Sequence, residues 1–327
     1  MSSVIQVFVH TSQFPERVRR DLLASLRTRQ VNHKFHYDSY KQTQKWLALH
    51  EAWSPVRTDP NCEAIYDASF RAAAQAISSP LVTVIGLGCG GGQKDMRLLR
   101  LLARPGRNLV YLPCDVSTAM VLVAANAAKE VVSDCRPLVL DLALAGDLAE
   151  TVADIAPREA ARLATFFGMI PNFAPETILP RLAQLIAPED YLLFGANLAP
   201  GSDYDSGVQK ILPQYDNELT REWLLTFLLD LGVERVDGEL RLRIEACPQH
   251  QGVKRIAAYF HFDRARNLKI DAEQFQFHSG DVIRLFFSYR YTPRQVQDLL
   301  EEHQLAVAEK WVADSEEEGV FLCRKIA

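Results

Sequence analysis

Apolar spacing changes character several times along this chain. Within residues 14–29, Val18, Leu22, Leu23 and Leu26 fall at intervals that make one stripe on a helix. A helical pattern recurs over 43–52, breaks at Trp53-Ser54-Pro55, and restarts after Asp59-Pro60 as a helix over 61–76. Residues 4–10 alternate as a short strand. The pattern therefore predicts a mostly helical N-terminal cap over residues 1–80.

From Leu81 onward, short apolar runs alternate with helical stretches. The strands are expected at 81–86, 108–114, 135–140, 163–168 and 190–197. The helices between them are expected at 95–102, 116–130, 148–155 and 175–185. Such alternation predicts a mainly parallel, doubly wound sheet. Residues 201–207 read as a loop, and 218–231 as an amphipathic helix. Runs at 240–246, 255–263, 268–270, 275–277 and 282–289 read as strands of a small antiparallel insert. Thr292-Pro293 opens a helix over 294–303, with proline in its first turn. Residues 306–313 and 320–326 flank the turn Ser315-Glu316-Glu317-Glu318-Gly319 and form a β-hairpin signal. A parallel sheet closed by an antiparallel hairpin suits a class I methyltransferase, a Rossmann-like α/β fold. The expected division is 1–80 as the cap, 81–200 with 292–327 as the cofactor domain, and 201–291 as an inserted substrate-binding subdomain.

Composition narrows the classes. The chain has 327 residues, 48% hydrophobic and 24% charged, as in globular proteins. A net charge of −5 provides no basic footprint, so no nucleic-acid partner is expected. Neither a leader pattern nor a run long enough to span a bilayer is evident, so no membrane partner is expected and the location expected is cytoplasmic. The six cysteines are scattered without a CxxC pair and read as reduced thiols. Cys247-Pro248-Gln249-His250 offers two ligand types in a loop, too few for a metal site. His33, His36, His261 and His278 lack ligand spacing and read as surface or cap residues, so no metal is expected. Glu316, Glu317 and Glu318 read as a solvated turn.

The candidate chemistry gathers after the first strand of the sheet. Gly86, Gly88, Gly90, Gly91 and Gly92 place five glycines within seven positions, between a strand and a helix. Gly86-Leu87-Gly88-Cys89-Gly90-Gly91 fits the dinucleotide fingerprint G-x-G-x-x-G. Gly88-Cys89-Gly90-Gly91-Gly92 fits the G-x-G-x-G turn of S-adenosylmethionine enzymes. Asp115 ends the next strand, where an acid can hold both ribose hydroxyls. Asp141 ends the strand after that, placed to meet an adenine amino group, and Leu142 joins it as a cofactor contact. The plainer alternative is a tight turn with two N-capping aspartates. The terminal hairpin favours the frame that starts at Gly88.

Surrounding residues resemble the histidine-specific methyltransferase family of ergothioneine biosynthesis. Phe35 with Tyr37-Asp38 resembles its Phe-Tyr-Asp element, and Pro55-Val56-Arg57-Thr58-Asp59 its Pro-Thr-Arg-Thr-Glu. Leu87-Gly88-Cys89-Gly90 followed by Lys94 is similar to its glycine turn and cofactor-carboxylate lysine. Pro113-Cys114-Asp115-Val116-Ser117 is similar to its Pro-x-Asp-Val-Ser. Gly168 with Asn172-Phe173-Ala174-Pro175 resembles its Gly-Asn-x-x-Pro turn, and Tyr215-Asp216 its Tyr-Asp-Asp. Ser288 with Thr292-Pro293 resembles its C-terminal substrate loop.

The resemblance implies methyl transfer from S-adenosylmethionine to a small-molecule acceptor, by a monomer or homodimer. It implies cofactor contacts at Gly88, Cys89, Gly90, Lys94, Asp115, Asp141 and Leu142. It implies an acceptor site with Tyr37, Ser54, Asn172, Tyr215, Phe286 and Ser288, in which Tyr37, Asn172 and Tyr215 orient the reacting groups. The plainer readings are core-edge tyrosines, a turn asparagine and an exposed helix-start lysine.

Four positions depart from the family pattern. Gly86 stands where the family has an acid, Ser54 where it has a substrate-contacting tyrosine, Phe286 where it has a glutamate, and Asn197 where it has an aspartate. The acceptor half departs more than the cofactor half, which counts against histidine itself and for another small amine or amino-acid-like nitrogen. A nicotinamide-dependent oxidoreductase and a non-catalytic S-adenosylmethionine binder are the competing readings.

Overall fold

The computed structural model describes residues 4–247, 250 and 252–326. Pro248 and Gln249, considered above for metal ligation with their neighbours, lie outside the described residues. In chain order the elements are β1 (Phe8–Val9), α1 (Pro15–Thr28), α2 (Tyr40–Trp53), α3 (Pro55–Thr58), α4 (Pro60–Ala76), β2 (Leu81–Leu87), α5 (Gln93–Leu102), β3 (Asn108–Asp115) and α6 (Thr118–Ala128). There follow β4 (Asp134–Cys135), β5 (Leu138–Val139), α7 (Leu148–Ile155), β6 (Ala161–Phe167), α8 (Pro175–Leu185), β7 (Tyr191–Asn197), α9 (Tyr204–Ile211) and α10 (Glu218–Asp230). The chain ends with β8 (Gly238–Ala246), β9 (Lys254–Phe262), β10 (Arg266–Ile270), β11 (Glu273–Phe277), β12 (Val282–Arg290), α11 (Pro293–Glu302), β13 (Leu305–Val312) and β14 (Glu318–Lys325).

Two compact units emerge. The first comprises residues up to Gln13, Pro55–Leu198 and residues from Tyr291. Its sheet has the order β1-β5-β3-β2-β6-β7-β14-β13, with β4 beside β3. β2 pairs in parallel with β3 and β6, while β14 runs antiparallel to β7 and β13. This is the class I methyltransferase sheet, mostly parallel and closed by a reversed hairpin. β2 is buried along its length, from Val82 to Leu87, as expected of a strand covered on both faces. The strand order changes direction at β2, the switch point beyond which open α/β sheets bind ligands.

The second unit comprises Phe14–Ser54 and Ala199–Arg290. It contains the three-stranded sheet β12-β9-β8, all antiparallel, and the hairpin β10-β11. Its core joins Leu23, Leu26 and Phe35 to Trp223, Phe227, Phe260 and Phe286.

Three expectations change. The helices of residues 1–80 do not form one cap. The apolar stripe of α1 belongs to the core of the second unit, while Cys62, Ile65, Tyr66 and Phe70 of α4 belong to the core of the sheet. The short N-terminal strand is an edge of that sheet, with Phe8 paired to Leu138. Tyr204–Ile211, read in part as loop, is helical; the Asp203 side chain caps it by accepting from the Asp205 N–H at 3.1 Å. Gly207 misled because it allows close approach, not a turn: a Cβ there would meet the Pro200 carbonyl oxygen at 2.2 Å.

Candidate functional site

The glycine turn joins β2 to α5. Gly88, Gly90 and Gly92 have φ of 64°, 51° and 72°, in the left-handed region where a side chain is strained. A Cβ at Gly88 would also meet the Met169 sulfur at 2.6 Å. The Cys89 N–H donates to the Cys114 carbonyl at 3.0 Å, which ties the turn to the end of β3. The Gly90 N–H donates to Asp115 Oδ2 at 3.1 Å, and the Ser117 N–H to Asp115 Oδ1 at 2.9 Å. Burial pushes the Asp115 carboxyl up to about 6, against the pull of these backbone donors. Cys89 is not primed as a nucleophile, because burial pushes its thiol well up. At the end of β5, the Asp141 N–H donates to Ser12 Oγ at 2.9 Å, and Asp141 Oδ1 accepts from the Ala143 N–H at 2.9 Å. Leu142 is buried beside it, and its carbonyl accepts from Arg181. A bare backbone cradle flanked by two carboxylates fits an adenosine-bearing cofactor.

Gly86 has a specific neighbour. A Cβ there would lie 2.2 Å from Asp95 Oδ2. Asp95, from the first turn of α5, is 2% exposed. It accepts from Tyr111 Oη at 2.7 Å and from Thr165 Oγ1 at 2.9 Å, so it ties α5 to β3 and β6. Gly86, which stands where the resemblance has an acid, leaves room for the Asp95 carboxylate that arrives from α5.

Lys94 lies next to it in a second buried network. Its ammonium donates to Tyr66 Oη at 2.9 Å and lies 3.9 Å from Glu318 Oε1. Tyr66 donates to Glu318 Oε1 at 2.5 Å, and Asn197 to Glu318 Oε2 at 2.7 Å. Burial pulls the Lys94 ammonium down, and Glu318 opposes that. Glu318, read as part of a solvated turn, is 2% exposed. β14 carries it inward opposite Asn197, where the register pairs the two. Asp95 and Tyr66 carry no motif in the sequence, Glu318 reads there as a turn residue and Asn197 as a departure from the family pattern; the fold brings Tyr66, Asn197 and Glu318 together.

The second unit brings four of the predicted acceptor residues together. Tyr215 Oη and Ser288 Oγ are 2.9 Å apart. The Tyr215 ring lies 6.0 Å from Phe286, Phe286 lies 5.7 Å from Trp223, and Trp223 lies 5.4 Å from Tyr37. Ser288 and Phe286 are buried. Arg290, absent from the sequence reading, donates to Tyr215 Oη and lies over its ring, 5.1 Å from the centroid. His36, read as a surface or cap residue, is fully buried here: its Nε2 meets the Leu285 carbonyl at 2.7 Å, and desolvation pulls its pKa down to about 4. Of the remaining predicted residues, Asn172 closes a short turn of the first unit after Met169, and Ser54 caps the C-terminus of α2 through its N–H to the His50 carbonyl at 3.0 Å.

Known proteins add one assignment. A family model described as histidine-specific methyltransferase, SAM-dependent, matches residues 18–325. Comparison with curated proteins found no match. Among solved structures, an S-adenosylmethionine-dependent methyltransferase from Clostridium acetobutylicum ATCC 824 is 10% identical, with 87% of this chain and 99% of that one covered at a TM-score of 0.46. Magnesium protoporphyrin IX methyltransferase from Synechocystis PCC 6803 is 12% identical, with 88% and 95% covered at a TM-score of 0.47. A protein from Pyrococcus horikoshii OT3 is 11% identical, with 86% and 98% covered at 0.47. At these TM-scores the likenesses carry no weight; the family match covers nearly the whole chain.

Proposed function

The chain belongs to the histidine-specific, S-adenosylmethionine-dependent methyltransferase family, and from that premise we propose that it methylates a nitrogen of a small amine or amino-acid-like acceptor other than histidine. The observation that carries this reading is Phe286. It is 4% exposed and packs against Tyr215, Trp223 and His33. The resemblance places a glutamate there. An aromatic wall in its place removes the buried acceptor that would select an imidazole N–H.

When bound, S-adenosylmethionine supplies an electrophilic methyl group on a sulfonium sulfur. The residues of the first unit do the holding. Gly88, Cys89 and Gly90 provide the backbone cradle, Asp115 takes the ribose hydroxyls, and Asp141 with Leu142 takes the adenine. Lys94 takes the carboxylate of the methionine part. Tyr37 and Tyr215 of the second unit orient the acceptor. A neutral amine needs no strong base during transfer, so alignment provides most of the acceleration, up to about 7–11 kcal/mol in the best cases. The nicotinamide reading loses its first glycine, because Gly86 makes room for Asp95.

The test is methyl transfer to a panel of amines and amino acids, with the product located by mass spectrometry. The expected result is an N-methyl product from a non-histidine acceptor, formed faster than from histidine. Histidine as the fastest acceptor, or a product methylated on oxygen or carbon, would overturn the reading. In calorimetry, Lys94→Ala should weaken S-adenosylhomocysteine about tenfold, the scale of one charged hydrogen bond. It should spare 5′-methylthioadenosine, which lacks the amino-acid tail.

A further inference from the structure

Arg290 closes β12 and is 2% exposed. Its guanidinium donates to Tyr215 Oη, while its Nε has no hydrogen-bond partner among the described residues. No carboxylate among the described residues forms an ion pair with it. Of the other buried arginines, Arg255 pairs with Glu245 at 2.7 Å. Arg107 donates to the carbonyls of Ile77 and Ser79 and keeps one terminal nitrogen, Nη1, without a hydrogen bond among the described residues. Arg290 differs in lying beside the Tyr215–Ser288 pair. A guanidinium cannot shed its proton to escape burial, so a desolvated one without an anion is costly unless a ligand supplies that anion.

We propose that Arg290 grips a carboxylate of the methyl acceptor, so that the acceptor is an amino acid with an apolar or aromatic body, not a bare amine. The planar guanidinium has a fork of donors matched to a carboxylate, and the open Nε is part of that fork. Tyr215 accepts from Arg290, which leaves its own proton for Ser288 or the ligand. Phe286, Trp223 and Tyr37 continue from Tyr215 as an aromatic series, and their rings suit an apolar body. The proposal rests on the reading that the acceptor binds in the second unit.

The test uses the whole chain saturated with S-adenosylhomocysteine. Calorimetry compares L-phenylalanine, L-tyrosine, L-tryptophan and L-histidine with their decarboxylated amines. At least one acid should bind about 30-fold more tightly than its amine, the scale of a buried charge pair with one partner removed. Arg290→Gln should reduce that preference to about threefold or less, and Arg290→Lys should restore part of it, with S-adenosylhomocysteine affinity unchanged in both. Amines binding as well as acids, no probe binding, or a preference that survives Arg290→Gln would each overturn the proposal. So would a fall in Tm of more than about 10 °C in both variants, which would mark Arg290 as a structural pin. N-methylation of amines indifferent to Arg290 would remove only the carboxylate grip. Acids bound through Arg290 without an N-methyl product would instead remove the nitrogen-transfer reading.

Discussion

In the first unit, buried carboxylates meet donors from the same unit. Asp95 has Tyr111 and Thr165, Asp115 has the N–H groups of Gly90 and Ser117, and Glu318 has Tyr66, Asn197 and Lys94. In the second unit, Arg290 has a phenol and the face of its ring, and no acid. Buried charge is normally compensated, because desolvation outweighs most single contacts. These carboxylates of the first unit are thus compensated from within it, and changes at them should cost stability. The aromatic side leaves one charge open, and changes there should alter binding more than stability.

The hardest test of that contrast is Gly86→Asp, which restores the expected acid. Its Cβ would collide with the Asp95 carboxylate, and a second acid would share a buried site. Denaturant unfolding should show a loss of about 3–5 kcal/mol, the scale of an uncompensated buried charge. Adding Asp95→Ala should recover more than half. If the single variant is harmless, Asp95 does not occupy that space.

A smaller effect concerns pH. Burial raises the Asp95 carboxyl from 3.8 to about 6. Between those values the Asp95 carboxyl binds more protons in the folded state than in the unfolded, so its contribution to stability is greatest below about pH 4 and falls as pH rises toward about 6. A shift of about two units corresponds to about 3 kcal/mol, and Asp95→Asn should flatten the decline by up to that amount. The check is urea unfolding across that range for both proteins. Parallel pH curves would show that the carboxyl titrates normally.

The smallest effect compares one hydroxyl from each unit. Tyr66→Phe strips a donor from buried Glu318 and should cost about 1–3 kcal/mol of stability. Ser288→Ala removes a partner from Tyr215, which keeps Arg290, and should cost about 1 kcal/mol or less. Equal losses would erase the distinction between a completed and an open site.

Much of this was legible in the chain itself. The strand–glycine–helix passage, the alternating elements after Leu81 and the closing hairpin follow from local periodicity and turn chemistry, and the structure carries them as β2, α5 and β14. The place of Asp115 at the end of β3 was legible for the same reason, whereas β5 stops at Val139, two residues before Asp141. Glu318 was misread because its neighbours Glu316 and Glu317 make a polar turn, and only the pairing of β14 with β7 turns it inward. His36 was misread because nothing beside it in sequence marks it as buried.

The local order of apolar, polar and glycine residues determined the elements, the class of sheet and the position of the glycine turn. That information is carried by residues a few positions apart, where backbone geometry acts directly. Only the tertiary structure decided why Gly86 is a glycine and which charges are compensated. Asp95 meets Tyr111 and Thr165 across 16 and 70 residues, and Tyr66 meets Glu318 across 252. The state of a buried charge depends on what the fold brings within about 3 Å, and spacing along the chain does not encode that distance.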